Sequence, residues 1–298
     1  MPPTDLLPEP VSTLPSNWGR WGTDDQLGTL HFITDAVRAR AVAAATTGRV
    51  VSLAREMSPA PLGGPMPFGD KPMPAAVQQV LSTMGPMQHA VTDVLVINVH
   101  HAHMTHIDAL VHVPADGHVY PGKPLGQAVA FGAVHHGSTA AFAAGITTRG
   151  VFLDLAPDGR LPEGHRVSAA DLEAAEARVG VRVESGDALV VRGGWRVADS
   201  FREPLPAMSL EAVARMADRE VSLFAGDIGD QPPFPPGSVL PMHQIALAQL
   251  GMPLIDNAEV DELAATCLEL GRASFLLVVA PMRLAGATGL PVNPLAVF

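Results

Sequence analysis

Proline and glycine interrupt this chain throughout, and they limit the length of every regular element. The 298 residues include 28 prolines and 28 glycines. Proline lacks the backbone N–H that helices and central strands need, and glycine favours turns. The densest stretch, residues 58–74, therefore predicts a Gly/Pro-rich flap, and residues 230–241 form a second such stretch. We expect short strands and helices joined by shaped loops.

Between these loops, helical and strand patterns alternate. Apolar residues at helical spacing, several behind a Ser or Thr cap, predict helices over residues 34–47, 168–179, 209–220, 243–250 and 259–270. Short runs rich in Val, Leu and Ile predict strands over residues 50–54, 91–101, 151–155, 188–192, 221–225 and 274–280. The alternation indicates an α/β fold. We find neither an internal repeat nor a dividing linker, so residues 1–298 are expected to form a single domain, with residues 1 to about 30 as an N-terminal arm.

Composition excludes several classes of protein. Thirty acidic residues against nineteen basic ones give a net charge of −11, the wrong sign for binding nucleic acid. No stretch approaches the roughly 20 apolar residues of a membrane span, and the N-terminus lacks signal-peptide features. Cys267 is the only cysteine, which excludes an internal disulfide and a cysteine-cluster metal site. We therefore expect a cytoplasmic protein without a nucleic-acid or membrane partner.

Histidines are concentrated at the end of one predicted strand. Six of the twelve lie within residues 100–118. In an extended chain, His106 and Asp108 project to the same side, so an imidazole and a carboxylate can meet at one ion. If the chain turns after Asp108, His112 comes to the same point. Burying three polar groups beside an apolar strand costs desolvation free energy for each, which favours a binding or catalytic role for them. The pattern predicts a metal site.

These residues also carry a resemblance. Residues 105–112, THIDALVH, resemble the H-x-G-T-H-x-D-x-x-x-H signature of the metal-dependent "cyclase" family, which includes bacterial kynurenine formamidase, isatin hydrolase and trans-dienelactone hydrolase. Further segments resemble the longer members of that family, so that the likeness extends from about residue 17 to residue 298: residues 17–22, 25–30, 120–122, 250–257 and 288–298.

The resemblance implies a swivelling β/β/α fold, a homo-oligomer (dimer or tetramer), and Zn²⁺ or Mn²⁺ that activates water for hydrolysis of an amide, lactam or lactone. It implies that His106 and Asp108 bind metal and that His112 is the general base. It further implies that His243 and Asp256 complete the site in members with two metals, with Gln244 as an alternative oxygen ligand.

One expected ligand is missing from the signature. The family's first histidine would stand at position 102, which is Ala102 here. Zinc sites that hydrolyse substrates usually keep three protein ligands, so another residue must contribute. We expect His243 to do so, with His103 next. His100 is the remaining alternative, because it shares the strand parity of His106.

The remaining sequence signals concern the substrate and the reaction. Trp18, Trp21 and Tyr120 are candidates for an apolar substrate pocket, since small-molecule sites are mostly apolar. The sequence argues against a serine or cysteine hydrolase, because the chain has no G-x-S-x-G motif and Cys267 lies in a predicted helix. Metal-dependent hydrolysis of a small-molecule substrate is the favoured function. Non-hydrolytic cyclisation or dehydration, and a metal-free binding protein, are the alternatives.

Overall fold

The structure, a computed structural model, describes residues 15–61, 75–85, 90–196, 204–230, 234, 238 and 240–298. The helices are α1 (Asp35–Ala44), α2 (Leu125–Ala128), α3 (Ala169–Val179), α4 (Leu210–Asp218), α5 (Pro241–His243) and α6 (Asp261–Leu270). Two 3₁₀ segments span Gly28–Phe32 and Thr139–Phe142, and a π-helix, Gln244–Leu250, continues α5.

Most strands in the described residues are short, as the proline and glycine content predicts. The strands are β1 (Val50–Ser52), β2 (Ala60–Pro61), β3 (Val77–Met84), β4 (Ala90–Ile97), β5 (His106–Asp108), β6 (His118–Val119), β7 (Lys123–Pro124), β8 (Val129–Ala130), β9 (Ala133–Val134), β10 (Ile146–Asp154), β11 (Arg166–Val167), β12 (Ala188–Arg192), β13 (Ala207–Met208), β14 (Leu223–Gly226), β15 (Leu254–Asp256), β16 (Ser274–Val279), β17 (Gly289–Pro291) and β18 (Leu295–Val297). Strands β3, β4 and β10 are longer, with eight or nine residues.

One mixed sheet organises the described part of the chain. Its strand order is β1-β18-β16-β10-β12-β14-β15-β5-β17. The four strands from β10 to β15 run parallel, and the flanking pairs are antiparallel. All four residues of β14 are buried, as expected for a parallel strand covered on both faces. The predicted α/β class is confirmed.

Local signals explain where the helices begin and end. Ser168 and Asp171 form a reciprocal capping box at the start of α3, and Gly180 ends that helix in the left-handed conformation. The predicted helices match the observed ones to within a few residues, except that residues 243–250 are mostly a π-helix. Among the described residues, no helix is long and apolar enough to cross a membrane.

The two predicted segments outside the sheet are described in part. Within the N-terminal arm, residues 1–14 lie outside the described residues. The described part is fixed to the π-helix, because Trp18 Nε1 donates to the Ala248 carbonyl and Asn17 Nδ2 donates to the Leu250 carbonyl at 2.9 Å. Of the predicted flap, residues 62–74 lie outside the described residues.

Candidate metal centre

Strand β5 presents two of the predicted metal ligands side by side. Its three residues are all buried. Ile107 points into the hydrophobic core, while His106 and Asp108 point to the opposite side, with His106 Nε2 3.4 Å from Asp108 Oδ1. The same-side projection predicted from the alternation of side chains is confirmed.

The neighbouring strands complete the surroundings of β5. In the antiparallel pair with β15, Asp256 lies directly opposite His106. His106, Asp108 and Asp256 offer ligand atoms that all lie within 4.8 Å of one another, a spacing that one metal ion can bridge. On the other side of β5, Gly289 of β17 lies opposite Asp108. The sheet register therefore brings together residues that are about 150 positions apart in sequence.

Two further histidines approach Asp108 from loops. Strand β4 ends at Ile97, three residues before His100, whose Nδ1 lies 3.0 Å from Asp108 Oδ1. The chain turns after β5 and brings His112 to the same place, as predicted. The His100 and His112 rings stack in parallel with their centroids 3.5 Å apart. With Asp108 they form a second group of ligand atoms within 4.8 Å of one another.

His243 reaches the centre from the last residue of α5, the short helix that begins at Pro241. Its Nε2 lies 3.3 Å from Asp108 Oδ2 and 3.0 Å from Asp256 Oδ2. Its Nδ1 lies 2.9 Å from Asp230 Oδ2 on the opposite side of the ring. The His243 ring therefore lies between the Asp230 carboxylate on one side and the carboxylates of Asp108 and Asp256 on the other.

The histidine tautomers fit a bound cation. His106 Nδ1 lies 2.9 Å from the Met104 carbonyl, which can only accept a hydrogen bond, so Nδ1 carries a hydrogen and Nε2, which faces Asp108, is the nitrogen that could bind a metal ion. The Asp230 contact likewise places a hydrogen on Nδ1 of His243, so that Nε2 is the nitrogen directed at the centre. His100 contacts Thr288 Oγ1 through Nε2 at 3.1 Å, which leaves Nδ1 toward Asp108.

Asp108 is the residue that points most directly to a metal site. Both of its carboxylate oxygens, and His100 Nδ1, are buried and make no hydrogen bond of acceptable geometry despite their close neighbours. Buried polar atoms without partners are rare in folded proteins and call for an explanation. Imidazole nitrogens and carboxylate oxygens are the donor set that Zn²⁺ and similar ions take. The residues present fit a metal ion.

Charge reinforces this arrangement. Burial alone would raise the pKa of Asp108, but the adjacent His100 and His243 lower it, so the carboxylate stays ionised. Burial alone would lower the pKa of His243, but the charge of Asp256 and the contacts with Asp108 and Asp230 raise it well above its ordinary value. Without a cation the centre thus favours a proton on His243, which a metal ion would replace.

His112 differs from the other histidines. Burial, with a smaller contribution from the neighbouring histidines and against the opposing effect of Asp108, lowers its pKa to about 4. The imidazole is therefore neutral at neutral pH. The ring borders a cavity of about 280 Å³ that His100, His106, Asp227, His243 and Asp256 also line. The centre is open to a small molecule on this side.

Several predicted site residues lie elsewhere. His103 packs beside His101, with ring centroids 5.3 Å apart, and is not among the described residues that line the cavity. Gln244 is turned toward Ser238 Oγ, at 2.7 Å from its Oε1. The structure therefore brings His100, rather than His103, into the place beside the ligands on β5.

The three aromatic pocket candidates do not line the cavity either. Trp18 holds the N-terminal arm against the π-helix, and Trp21 stacks on His31 with centroids 5.0 Å apart. Tyr120 is fully buried, and its hydroxyl donates to Asp25 Oδ2 at 2.9 Å. Trp18 and Tyr120 therefore use their polar atoms to join the N-terminal arm to the rest of the chain, and none of the three side chains is among the residues that line the cavity.

Two residues of the centre are not among those predicted from the sequence to form the site. Asp230 lies thirteen residues before His243, at the start of the proline-rich stretch. Only the tertiary fold brings its carboxylate to the imidazole. Gly289 gives His100 its space, because a Cβ there would lie 2.6 Å from His100 Cε1. A glycine in a strand can mark a place where another group packs closely against the backbone. That this group is His100 becomes clear only from the pairing of Gly289 with Asp108 in the sheet.

The chain matches a known protein family. Residues 31–230, more than half of the chain, match the family model Cyclase, described as "Putative cyclase". The chain belongs to the cyclase family. No curated protein matches it significantly. The resemblance identified from the histidine signature is confirmed.

Solved structures of the cyclase family share the fold. A crystal structure described as a novel cyclase superposes with a TM-score of 0.83 at 26% identity, covering 97% of this chain and 99% of the other. Isatin hydrolase A from Ralstonia solanacearum superposes with a TM-score of 0.58 at 19% identity, covering 83% of this chain and 91% of that one. An isatin hydrolase bound to the product analogue thioisatinate gives 0.58 at 16% identity, over 88% and 95% of the two chains. The predicted cyclase-family fold is confirmed.

Proposed function

We propose that this chain is a metal-dependent hydrolase that opens the amide, lactam or lactone bond of a small molecule. The observation that carries the proposal is Asp108, a fully buried carboxylate without a hydrogen bond, surrounded by imidazole nitrogens at the edge of an open cavity. Lactam hydrolysis is supported by the shared fold of the isatin hydrolases, since isatin is a lactam. The burial of His106, Asp108 and His243 makes a metal-free binding protein the weaker alternative, because such a protein gains nothing from burying these polar groups.

The residues of the centre divide into those that hold the ion and one that moves a proton. His106, Asp108 and Asp256 would hold Zn²⁺ or Mn²⁺, with His100 and His243 as additional nitrogen ligands. When bound, such an ion lowers the pKa of water to about 7 and polarises a carbonyl oxygen. His112 is neutral at neutral pH, accepts the proton of the attacking water, and returns it to the leaving nitrogen or oxygen.

The proposal is tested first by metal content. Inductively coupled plasma mass spectrometry of protein purified without chelators should detect about one Zn²⁺ or Mn²⁺ per chain. His106→Ala should lose the metal, whereas His103→Ala, a histidine of the same segment outside the centre, should retain it. A wild-type protein that binds neither metal under titration would refute the proposal.

Activity then tests the reaction and the base. A panel of aryl formamides, lactams including isatin, and aromatic lactones should contain hydrolysed substrates. His112→Ala should keep its metal and lose about 10²–10⁴-fold in turnover, the usual contribution of general acid–base catalysis. Loss of metal in His112→Ala would make this residue a ligand. A metal-loaded protein that consumes panel substrates only by non-hydrolytic ring closure or dehydration would favour the alternative chemistry.

A further inference from the structure

A second cavity adjoins the metal centre at the carboxyl ends of the parallel strands. Its volume is about 230 Å³, and most of its wall comes from the loops that follow β10, β12, β14 and β15. In open α/β sheets, ligands bind outside the carboxyl ends of the strands. The metal cavity lies at the same edge, and Asp227, directly after β14, lines both cavities. The second cavity therefore lies where this kind of fold admits a ligand.

Three arginines line this second cavity, which we call the arginine pocket: Arg55, Arg160 and Arg196. The chain has only nineteen basic residues and a net charge of −11, so three of them in one cavity is a local concentration of positive charge. The guanidinium of Arg160 lies over the Trp195 ring, 4.2 Å from its centroid. Such a contact holds a guanidinium in place without using a hydrogen-bond acceptor.

Two carboxylates of the pocket already accept hydrogen bonds from other donors. Asp261 Oδ1 accepts one from Nε of Arg192, which does not line the pocket, at 2.8 Å. Both oxygens of Asp227 accept hydrogen bonds from the backbone N–H groups of residues 193–195, at 2.6–3.1 Å. Paired and hydrogen-bonded carboxylates repel an approaching anion less than bare ones do. These two side chains therefore do not close the pocket to an anion.

The third carboxylate, Glu259, is shared by two of the arginines. Its Oε2 lies 3.3 Å from Arg55 Nη1 and 3.7 Å from Arg196 Nη2, and the second distance is beyond that of a hydrogen bond. Arg55 is held in place, because its Nε donates to the Asn257 carbonyl at 3.0 Å. Each guanidinium carries five N–H donors, so one carboxylate oxygen cannot satisfy two of them. The pocket thus offers more donors than its own acceptors use.

The size and the donors of the pocket indicate the ligand. Pockets for drug-sized molecules have volumes of roughly 300–1,000 Å³, so a smaller cavity suits a small anion or the anionic end of a molecule. The guanidinium fork matches the oxygens of carboxylates and phosphates. We propose that the arginine pocket binds the carboxylate or phosphate group of a small molecule. The inference does not depend on the reaction proposed for the metal centre.

Calorimetric titration of the purified protein tests the pocket, with chloride keeping the ionic strength constant. Sulfate represents a phosphate group and acetate a carboxylate. At least one of them should bind saturably, at about one ion per chain, and the tighter of the two identifies the group. Absence of saturable binding by both anions would refute the proposal.

Variants of the exposed arginines test the location. Arg160→Gln/Arg196→Gln removes two guanidiniums and should weaken anion binding about tenfold or more, with an unchanged circular dichroism spectrum. Arg38→Gln/Arg49→Gln is the matched control, because these exposed arginines are paired with carboxylates outside the pocket, and it should keep the wild-type affinity. Equal losses in the two double variants would overturn the proposal. Anion binding that is lost in His106→Ala but kept in the pocket variant would place the anion at the metal centre and refute it as well.

Chemical protection tests the same location in the wild-type protein. Phenylglyoxal modifies arginine, and peptide mass spectrometry follows each site separately. The tighter-binding anion should slow the modification of Arg196, which is 58% exposed, and leave that of Arg49, which is 45% exposed, unchanged. Equal rates at Arg196 with and without the anion would contradict binding in the arginine pocket.

Discussion

Replacing Asp230 with asparagine should weaken metal binding although Asp230 is not a ligand. Its Oδ2 accepts hydrogen bonds from Nδ1 and the backbone N–H of His243, both at 2.9 Å, and its Oδ1 accepts one from the Met242 N–H at 2.9 Å. Three donors therefore converge on a carboxylate that only accepts. An asparagine amide has one oxygen and an NH₂ group, so at least one donor would face another donor.

The expected loss follows from these contacts. The carboxylate holds the His243 ring with Nε2 directed at Asp108 and Asp256. Loss of such an orienting partner usually lowers metal affinity by about 10–100-fold. This corresponds to about 1.4–2.7 kcal/mol of binding free energy. A buried backbone N–H left without an acceptor should also lower the free energy of unfolding by about 1–3 kcal/mol.

Asp227 offers a matched control for this substitution. It is equally buried and lines the same cavity, but its carboxylate accepts hydrogen bonds from the backbone N–H groups of Gly193, Gly194 and Trp195. Asp227→Asn should therefore reduce stability without the loss of metal affinity. The assay is competition for Zn²⁺ with a chromophoric chelator, alongside denaturant unfolding of the metal-free proteins. Wild-type affinity in Asp230→Asn, or equal losses in the two variants, would refute the orienting role.

Three further substitutions or modifications test other parts of the structure. Gly289→Ala should displace the His100 ring and weaken Zn²⁺ binding in the same competition assay by about tenfold or more. Gly126→Ala is the control and should bind Zn²⁺ as the wild type does, because the added Cβ has no neighbour within 4 Å. Burial raises the pKa of the Cys267 thiol to about 12, so iodoacetamide should label it only after unfolding, as detected by mass spectrometry. Tyr120→Phe removes a 2.9 Å hydrogen bond to a carboxylate and should lower the free energy of unfolding by about 1.5–3 kcal/mol in denaturant titrations, and an unchanged value would contradict this role.

Local patterns were sufficient for the elements that depend on short-range interactions. The capped helix α3 and the parallel strands β10, β12 and β14 follow from cap residues and from continuous Val and Leu runs. Likewise, His106 and Asp108 share a side because adjacent strand residues alternate. These features require no knowledge of the rest of the chain.

The elements that sequence reasoning missed depend on distant partners. Strands β15 and β17 have three residues each, too few for a recognisable period, and they form because β5 lies between them. The π-helix was predicted as an ordinary helix because its apolar residues have helical spacing. Likewise, the role of Trp18 in fixing the arm depends on a carbonyl 230 residues away in sequence.

Ala102 and Gly289 together explain how the centre accommodates the absence of a histidine at position 102. Ala102 lines the cavity, so its side chain is on the side of the candidate ligands but offers no donor atom. Strand β4 ends at Ile97, and the irregular segment that follows carries His100 toward Asp108. The imidazole can lie there only because Gly289, opposite Asp108 in the sheet, has no Cβ to fill the same space. His100, two residues before Ala102, thus supplies a nitrogen donor to the centre. Gly289, which leaves room for its ring, lies almost 190 residues later in the chain.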